Sequence, residues 1–155
     1  IYNTVSGLPS SVRGGISPVA SGRFSSVSGG RYNLASVNFS NISGGDNNKA
    51  IGEFSVVSGG ESNTANGESS SVAGGRLNQA NNTGSSVGGG RANQANGIQA
   101  SISGGYSNFA DGGFSSVSGG TFNTATGEYS SVSGGENRTA IGDNNWVAGD
   151  LIEDD

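Results

Sequence analysis

Apolar and polar positions alternate along this chain in short runs, and the runs recur every 15 residues. Gly-Gly pairs mark the phase. They fall at 14–15, 29–30, 44–45, 59–60, 74–75, 89–90, 104–105, 119–120 and 134–135. A tenth slot follows at Gly149, where Asp150 replaces the second Gly. No insertion or deletion breaks the count, and a merely Gly-rich sequence would not hold phase. One period reads S-x-V-x-G-G-x-x-N-x-A-x-G-x-x, as in the stretch from Ser115 to Tyr129. Its halves, S-x-V-x-G and N-x-A-x-G, each alternate at period two, the pattern of a strand with one face buried. Gly closes each half, where the chain must turn. Helix is excluded, because Gly recurs too often and no 3.6-residue apolar stripe exists.

Two short strands and two turns in 15 residues make one coil of a β-solenoid. The predicted architecture is all-β: a parallel β-solenoid of about ten coils, forming a single domain over 1–150. At about 4.8 Å per coil it would stand roughly 48 Å tall. Parallel stacking puts equal positions of successive coils in ladders, so each column can be read as a surface. One inward column is Val12, Val27, Ile42, Val57, Val72, Val87, Ile102, Val117, Val132 and Val147. The facing column is Val5, then Ala20, Ala35, Ala50, Ala65, Ala80, Ala95, Ala110, Ala125 and Ala140. Val opposite Ala predicts a thin core. Asn33, Asn48, Asn63, Asn78, Asn93, Asn108 and Asn123 form a column that reads as a structural ladder. Stacked Asn can bond side chain to side chain along the axis, and can satisfy turn backbone.

The outward columns carry the functional expectations. The candidate interaction face is Ser26, Ser28, Ser43, Ser58, Ser71, Ser86, Ser101, Ser103, Ser116, Ser118, Ser131 and Ser133, ending at Trp146. It is expected to be flat, small and uncharged, suited to close packing on another protein face or to ordering water. Arg13 and Val56 interrupt it. Outward positions of the second strand are chemically mixed and read as ordinary surface. Aromatics collect just before each half: Phe24, Phe39, Phe54, Phe114 and Tyr129 in one column, Tyr2, Tyr32 and Phe122 in the other. They serve either as corner packing that shields the turns or as a lateral contact stripe. Arg31 with Asp46, and Glu61 with Arg76, sit one coil apart at the surface, where ion pairs contribute little. Asp150 to Asp155 carry four acids and break the repeat, so 151–155 reads as an acidic tail: a cap, a linker or a frayed end.

Composition sharpens this picture by exclusion. Of 155 residues, 30 are Gly, and Cys, Met and His are absent. With 28 Ser and 18 Asn, three residue types fill about half the chain, a linker-like composition that the phase of the repeat overrides. Without His or Cys there is no zinc site of the usual kinds, no Cys nucleophile and no Ser-His-Asp triad. Gly84-Ser85-Ser86-Val87-Gly88 matches the nucleophile-elbow spacing but has no His to serve it. The repeat lacks the recurring Asp of calcium-binding β-rolls, and neutral Asn does not replace rows of carboxylates. No paired carboxylates are expected at the same column in a concave setting for glycosidase chemistry, and N-x-[ST] at Asn38, Asn41, Asn81 and Asn137 is a chance expectation in such a chain. No enzyme activity, cofactor or metal is expected. Seven scattered basic residues and a net charge of −5 argue against nucleic acid. No run approaches 18 apolar residues, so no membrane insertion is expected. The chain opens at Ile1 with no signal peptide, as expected of a processed protein or an excerpt.

The S-x-V-x-G and N-x-A-x-G halves resemble the repeats of trimeric autotransporter adhesin heads and related bacterial-surface and phage fibres. The resemblance spans Asn3 to Gly149. It implies a left-handed parallel β-roll, often trimeric within a fibre, without enzymatic activity. The 15-residue period with its doubled Gly is longer than that of those heads, and Ser stands where they carry Val or Ile. A second resemblance is to grass ice-binding proteins, whose N-x-V-x-G halves also form a left-handed β-roll. Asn3-Thr4-Val5-Ser6-Gly7 fits that pattern. Two functional expectations follow. The first is an extracellular or cell-surface structural or adhesive solenoid, its partner itself or a surface receptor. It would build a fibre, filament or oligomer through open coil ends and lateral faces. The alternative is an ice binder using the Ser-x-Ser face.

Overall fold

The computed structural model of the chain describes residues 2–149. The acids from Asp150 onward, including the tail expected over 151–155, lie outside the described residues. The protein is a parallel β-solenoid of ten coils, with two strands of two residues in each coil. One sheet, here the Val sheet, runs from Ser11–Val12 to Trp146–Val147. The other, the Ala sheet, runs from Thr4–Val5 to Thr139–Ala140. Each contains ten strands, and every strand pairs in parallel with the strand one coil away. The register is the sequence period itself: Ser71 pairs with Ser86, and Ala80 with Ala95. Backbone amides donate to carbonyls of the next coil, as from Ser26 to Ser40 at 3.0 Å and from Lys49 to Asn63 at 2.8 Å. A third, one-residue ladder through Arg31, Asp46, Glu61 and Arg76 runs beside the two sheets. It has no apolar alternation, which is why the period-two pattern does not reveal it.

The thin core is present. Val27, Ile42, Val57 and the rest of that column through Val132 are at most 1% exposed, and Ala20 through Ala140 are fully buried. Ser opens most first halves and points inward, and in most of them its hydroxyl fastens a turn; Ala100 takes its place in one coil, and the Ser70 and Ser115 hydroxyls make no such bond. Ser25 donates to the Gly22 carbonyl oxygen through its amide at 3.1 Å and its hydroxyl at 2.6 Å. The same hydroxyl bond recurs at Ser40, Ser55, Ser85 and Ser130.

The turns divide their labour differently from the expectation that Gly marks each bend. In the Gly-Gly pairs it is the second Gly that the backbone requires. Gly60 has φ +88°, and a Cβ there would lie 2.1 Å from the Gly75 carbonyl oxygen. Gly59 would direct a Cβ into open space. Gly52, which closes a second half, has no positive φ, yet its Cβ would meet the Gly67 oxygen at 2.0 Å. Close stacking, not conformational freedom, holds that Gly. The left-handed bends are assigned instead to 17 non-Gly residues with φ between +52° and +59°, in two columns that contain the corner aromatics. Such a φ costs a bulky residue about 1–2 kcal/mol. Each bend is tied to its neighbour coil by a backbone bond, as from the Phe39 amide to the Arg23 oxygen at 2.8 Å.

This contrast is testable. Gly60→Ala forces a left-handed alanine against the next coil and should destabilise the fold by about 2 kcal/mol or more. Gly59→Ala should change stability by less than about 1 kcal/mol. Urea unfolding followed by circular dichroism measures both, and equal losses would overturn the assignment.

Candidate functional site

The Val sheet presents the candidate Ser face. Because Val27, Ile42 and their column are buried, the residues on either side of each Val must point outward. Ser26, Ser86, Ser101, Ser116 and Ser131 are half-buried and Ser71 is exposed. Ser28, Ser43, Ser58, Ser103, Ser118 and Ser133 are all exposed. Two of these hydroxyls are engaged within the chain: Ser26 accepts from the Asn41 side-chain amide, and Ser133 from the Trp146 indole N–H at 2.7 Å. The face is not flat along its whole length. Where Ala73 and Gly88 replace Ser, it sinks into an open trough of about 480 Å3. Ser58 and Ser103 stand at the ends of the trough, Ser71, Ser86 and Ser101 along its side, and Val72, Val87 and Ile102 lie behind it.

The aromatic column forms one corner of the solenoid. Phe24, Phe39 and Phe54 stack face to face with ring centroids 5.0 and 4.7 Å apart and planes within 7°. Phe114 and Tyr129 stack at 4.9 Å and 10°. These spacings match the distance between neighbouring strands, so the backbone sets the ring separation. All five rings remain between 42% and 55% exposed, with Arg23 over Phe24. The stack is interrupted at Ser69, Gly84 and Gln99. At the opposite corner Tyr32 and Phe122 are likewise exposed, and Tyr106 meets Phe122 edge-on at 5.3 Å.

The Asn ladder lies inside. Asn33, Asn48, Asn63, Asn78, Asn93, Asn108 and Asn123 are all fully buried. Their links are to backbone, not to one another's side chains. The Asn78 amide nitrogen donates to the Gly74 and Gly90 oxygens, each at 2.9 Å. Its Oδ1 accepts the Asn93 backbone N–H at 3.0 Å. One side chain thus satisfies its own turn and the following coil, and the same set recurs along the column. Pro18 has no N–H to extend the ladder, and Arg138 accepts its end through its backbone N–H, donating to Asn123 Oδ1 at 2.9 Å.

The Ala-sheet surface holds an arrangement that the mixed sequence column concealed. The Asn81 side chain donates to Asn96 at 2.7 Å, and Asn96 donates to Asp111 at 2.6 Å. The surface ion pairs sit where the period puts them, Arg31 with Asp46 at 2.6 Å and Arg76 with Glu61 at 3.5 Å. All are too solvated to contribute much.

Among the described residues no group of three or more His, Cys, Asp or Glu is placed to hold a metal. No helix there is long and apolar enough to cross a membrane. The class defined by the architecture is a parallel β-solenoid of the β-roll kind. No protein-family model matches the chain, and no curated relative matches it.

Asn78→Ala leaves the Gly74 carbonyl and the Asn93 N–H without a partner and removes one of the two donors to the Gly90 carbonyl, which keeps the Arg76 N–H. It should cost about 3 kcal/mol or more. Asn81→Ala, outside the core, should cost less than about 1 kcal/mol. Thermal melting of the two variants checks the contrast, and a mild Asn78→Ala would show that the ladder is dispensable.

Proposed function

We propose that the chain is a non-catalytic structural or adhesive solenoid of the cell exterior or cell surface, which associates with copies of itself through its aromatic corner. The observation that carries this reading is the pair of ring stacks on one corner, Phe24–Phe39–Phe54 and Phe114–Tyr129, in the same column and close to half exposed. Packing against one another shields the ring faces but leaves the edges in water. A row of such edges on one side of a rod is an apolar strip that a second rod would cover. The corner keeps the strip straight, because each ring is anchored on a backbone position repeated at the coil spacing.

The ice-binding alternative requires an unbroken plane of hydroxyl and methyl groups. The trough at Ala73 and Gly88 weighs against it, as do the side-chain bond at Ser26 and the Trp146 ring at the end of the face. On the structural reading the purified protein produces no thermal hysteresis.

Phe39→Asn combined with Phe114→Asn places a residue that tolerates positive φ at one bend in each stacked group of this corner. Sedimentation velocity should show the wild-type chain as an oligomer and the double variant with at least about tenfold weaker association. Its melting temperature should stay within several degrees. A wild-type chain that sediments as a monomer at about 100 µM, with no fibres by negative-stain microscopy, would overturn the proposal.

A further inference from the structure

At the corner opposite the Phe stacks, two outward columns run side by side. One holds Arg31, Asp46, Glu61, Arg76 and Arg91 at successive coils, followed by Tyr106. The other, one residue further along each coil, holds Tyr32, Leu77 and Phe122, separated by small or polar residues. The two columns share one surface, since Tyr106 of the first meets Phe122 of the second. The charged residues are exposed, except Asp46, which is half-buried and paired with Arg31. Tyr32, Leu77, Tyr106 and Phe122 are between 41% and 57% exposed. Three of the chain's seven basic residues stand in this one column.

Within one chain the order of charges is poorly matched. Asp46 and Glu61 are neighbours at one coil spacing, and so are Arg76 and Arg91. Arg91 lies over the Tyr106 ring and not against an acid. Read in reverse, however, the column is complementary to itself. Consider a second copy laid antiparallel, with the two-fold axis level between Glu61 and Arg76. Glu61 of each copy then faces Arg76 of the other, and Asp46 faces Arg91. Arg31 faces Tyr106, a cation against an aromatic ring. In the neighbouring column Tyr32, Leu77 and Phe122 face Ser107, Ser62 and Ser17, so each large side chain meets a small one. A shift of one coil either way sets Glu61 on Glu61 or Arg76 on Arg76. Parallel rods in register set every charge on its own copy. Adjacent rings in the three-Phe stack differ by only 7° in plane, well under the usual twist between neighbouring strands, so the columns run close to straight.

We infer that this corner is a second self-association surface, which docks another copy of the chain antiparallel in that single register. Opposed unlike charges set orientation and register more than affinity, and the apolar side chains between them supply the area that leaves water. The strip is about nine coil steps long, roughly 43 Å, and about 10 Å wide, so each copy covers roughly 430 Å2. A contact of that size is weak and reversible by itself. Its consequence is architectural. A rod with one self-complementary corner forms pairs, whereas a rod with two such corners on opposite sides forms a ribbon in which each weak contact reinforces the next. The surface shares no residue with the Phe corner and stands whether or not that corner associates.

The Phe39→Asn/Phe114→Asn chain removes the other corner, so this one is read alone. Sedimentation equilibrium of that chain at up to about 1 mM and low salt should show a dimer, weakened at least about fivefold when sodium chloride is raised to about 500 mM. Adding Asp46→Arg or Arg91→Asp puts like charges opposite one another and should weaken association at least about tenfold. Adding both together should bring it back to within about threefold of the starting chain. Positions 46 and 91 stand three coils apart in one chain, roughly 14 Å, so a rescue by the double exchange reports pairing between copies. All of these chains should melt within several degrees of one another. The inference fails if the starting chain stays monomeric at about 1 mM, or if salt leaves its association unchanged. It also fails if the double exchange associates no better than the single ones. None of these results bears on the Phe corner, whose own test compares that chain with the wild type.

Discussion

Everything in this molecule depends on one contact: the backbone of each coil against the backbone of the next, repeated at strand spacing. A two-residue strand is too short to stand alone, and a Val–Ala core is too thin to hold a sheet by apolar burial. The inter-coil hydrogen bonds carry the architecture, and the side chains are selected to let coils approach closely enough to make them. Gly52 and Gly60 meet that demand by having no Cβ where the next carbonyl oxygen sits about 2 Å from where it would be. The buried Asn meets it from the other side: Asn78 takes up the Gly74 carbonyl and the Asn93 amide, which the turn leaves without strand partners, and joins the Arg76 amide on the Gly90 carbonyl.

The same contact turns sequence columns into surfaces. Because each residue is copied one strand spacing along the axis, whatever chemistry stands at an outward position is multiplied into a row. Phenylalanine at a corner becomes a stacked rib with 4.7–5.0 Å between rings, and Ser on a strand becomes a line of hydroxyls. Neither row needs its own folding signal, since the backbone has already fixed its spacing. This separates the two requirements on the sequence: inward positions answer to stacking, and outward ones are free to answer to a partner.

Much of this was legible in the sequence because the inward constraint is strict and repeated. The Gly-Gly phase gave the coil length, and the alternation around Val27 and Ala35 gave both buried columns and their register. Other features left no sequence signal. The left-handed bends fall on Phe39, Ser62, Leu77 and Gln99 alike, so their conformation is imposed by neighbouring coils and not by residue preference. The kind of bond made by Asn78 depends on where the two glycine carbonyls lie, which composition does not report. The ladder through Asn81, Asn96 and Asp111 sits in a column that runs from Ser through Ile51 and Asn to Thr126 and Ile141, so its side-chain bonds are not announced by a uniform repeat. Ala73 and Gly88 stand in the outward column, but nothing in the sequence marks them as a trough. That two thinned columns meet at one height requires the solenoid to be assembled.

A repeat protein whose outward rows were perfectly regular would present the same surface at every coil and could bind only a partner equally periodic. Departures from the repeat are therefore where selectivity along the rod can arise. On inward positions the departures within the rod are conservative, Ala100 for Ser and Ile42 and Ile102 for Val, and the larger ones stand at the ends of the Asn ladder, at Pro18 and Arg138. In the middle of the rod they occur on the outward side, and there they coincide: ring, hydroxyl and Cβ are given up together around Gly84 and Gly88. Stacking tolerates this because the amide of Gly88 still donates to Ile102, at 2.8 Å. A coil can thus lose its outward side chains without losing its place in the ladder, and this allows a rod built by strict repetition to carry one local, non-repeating recess.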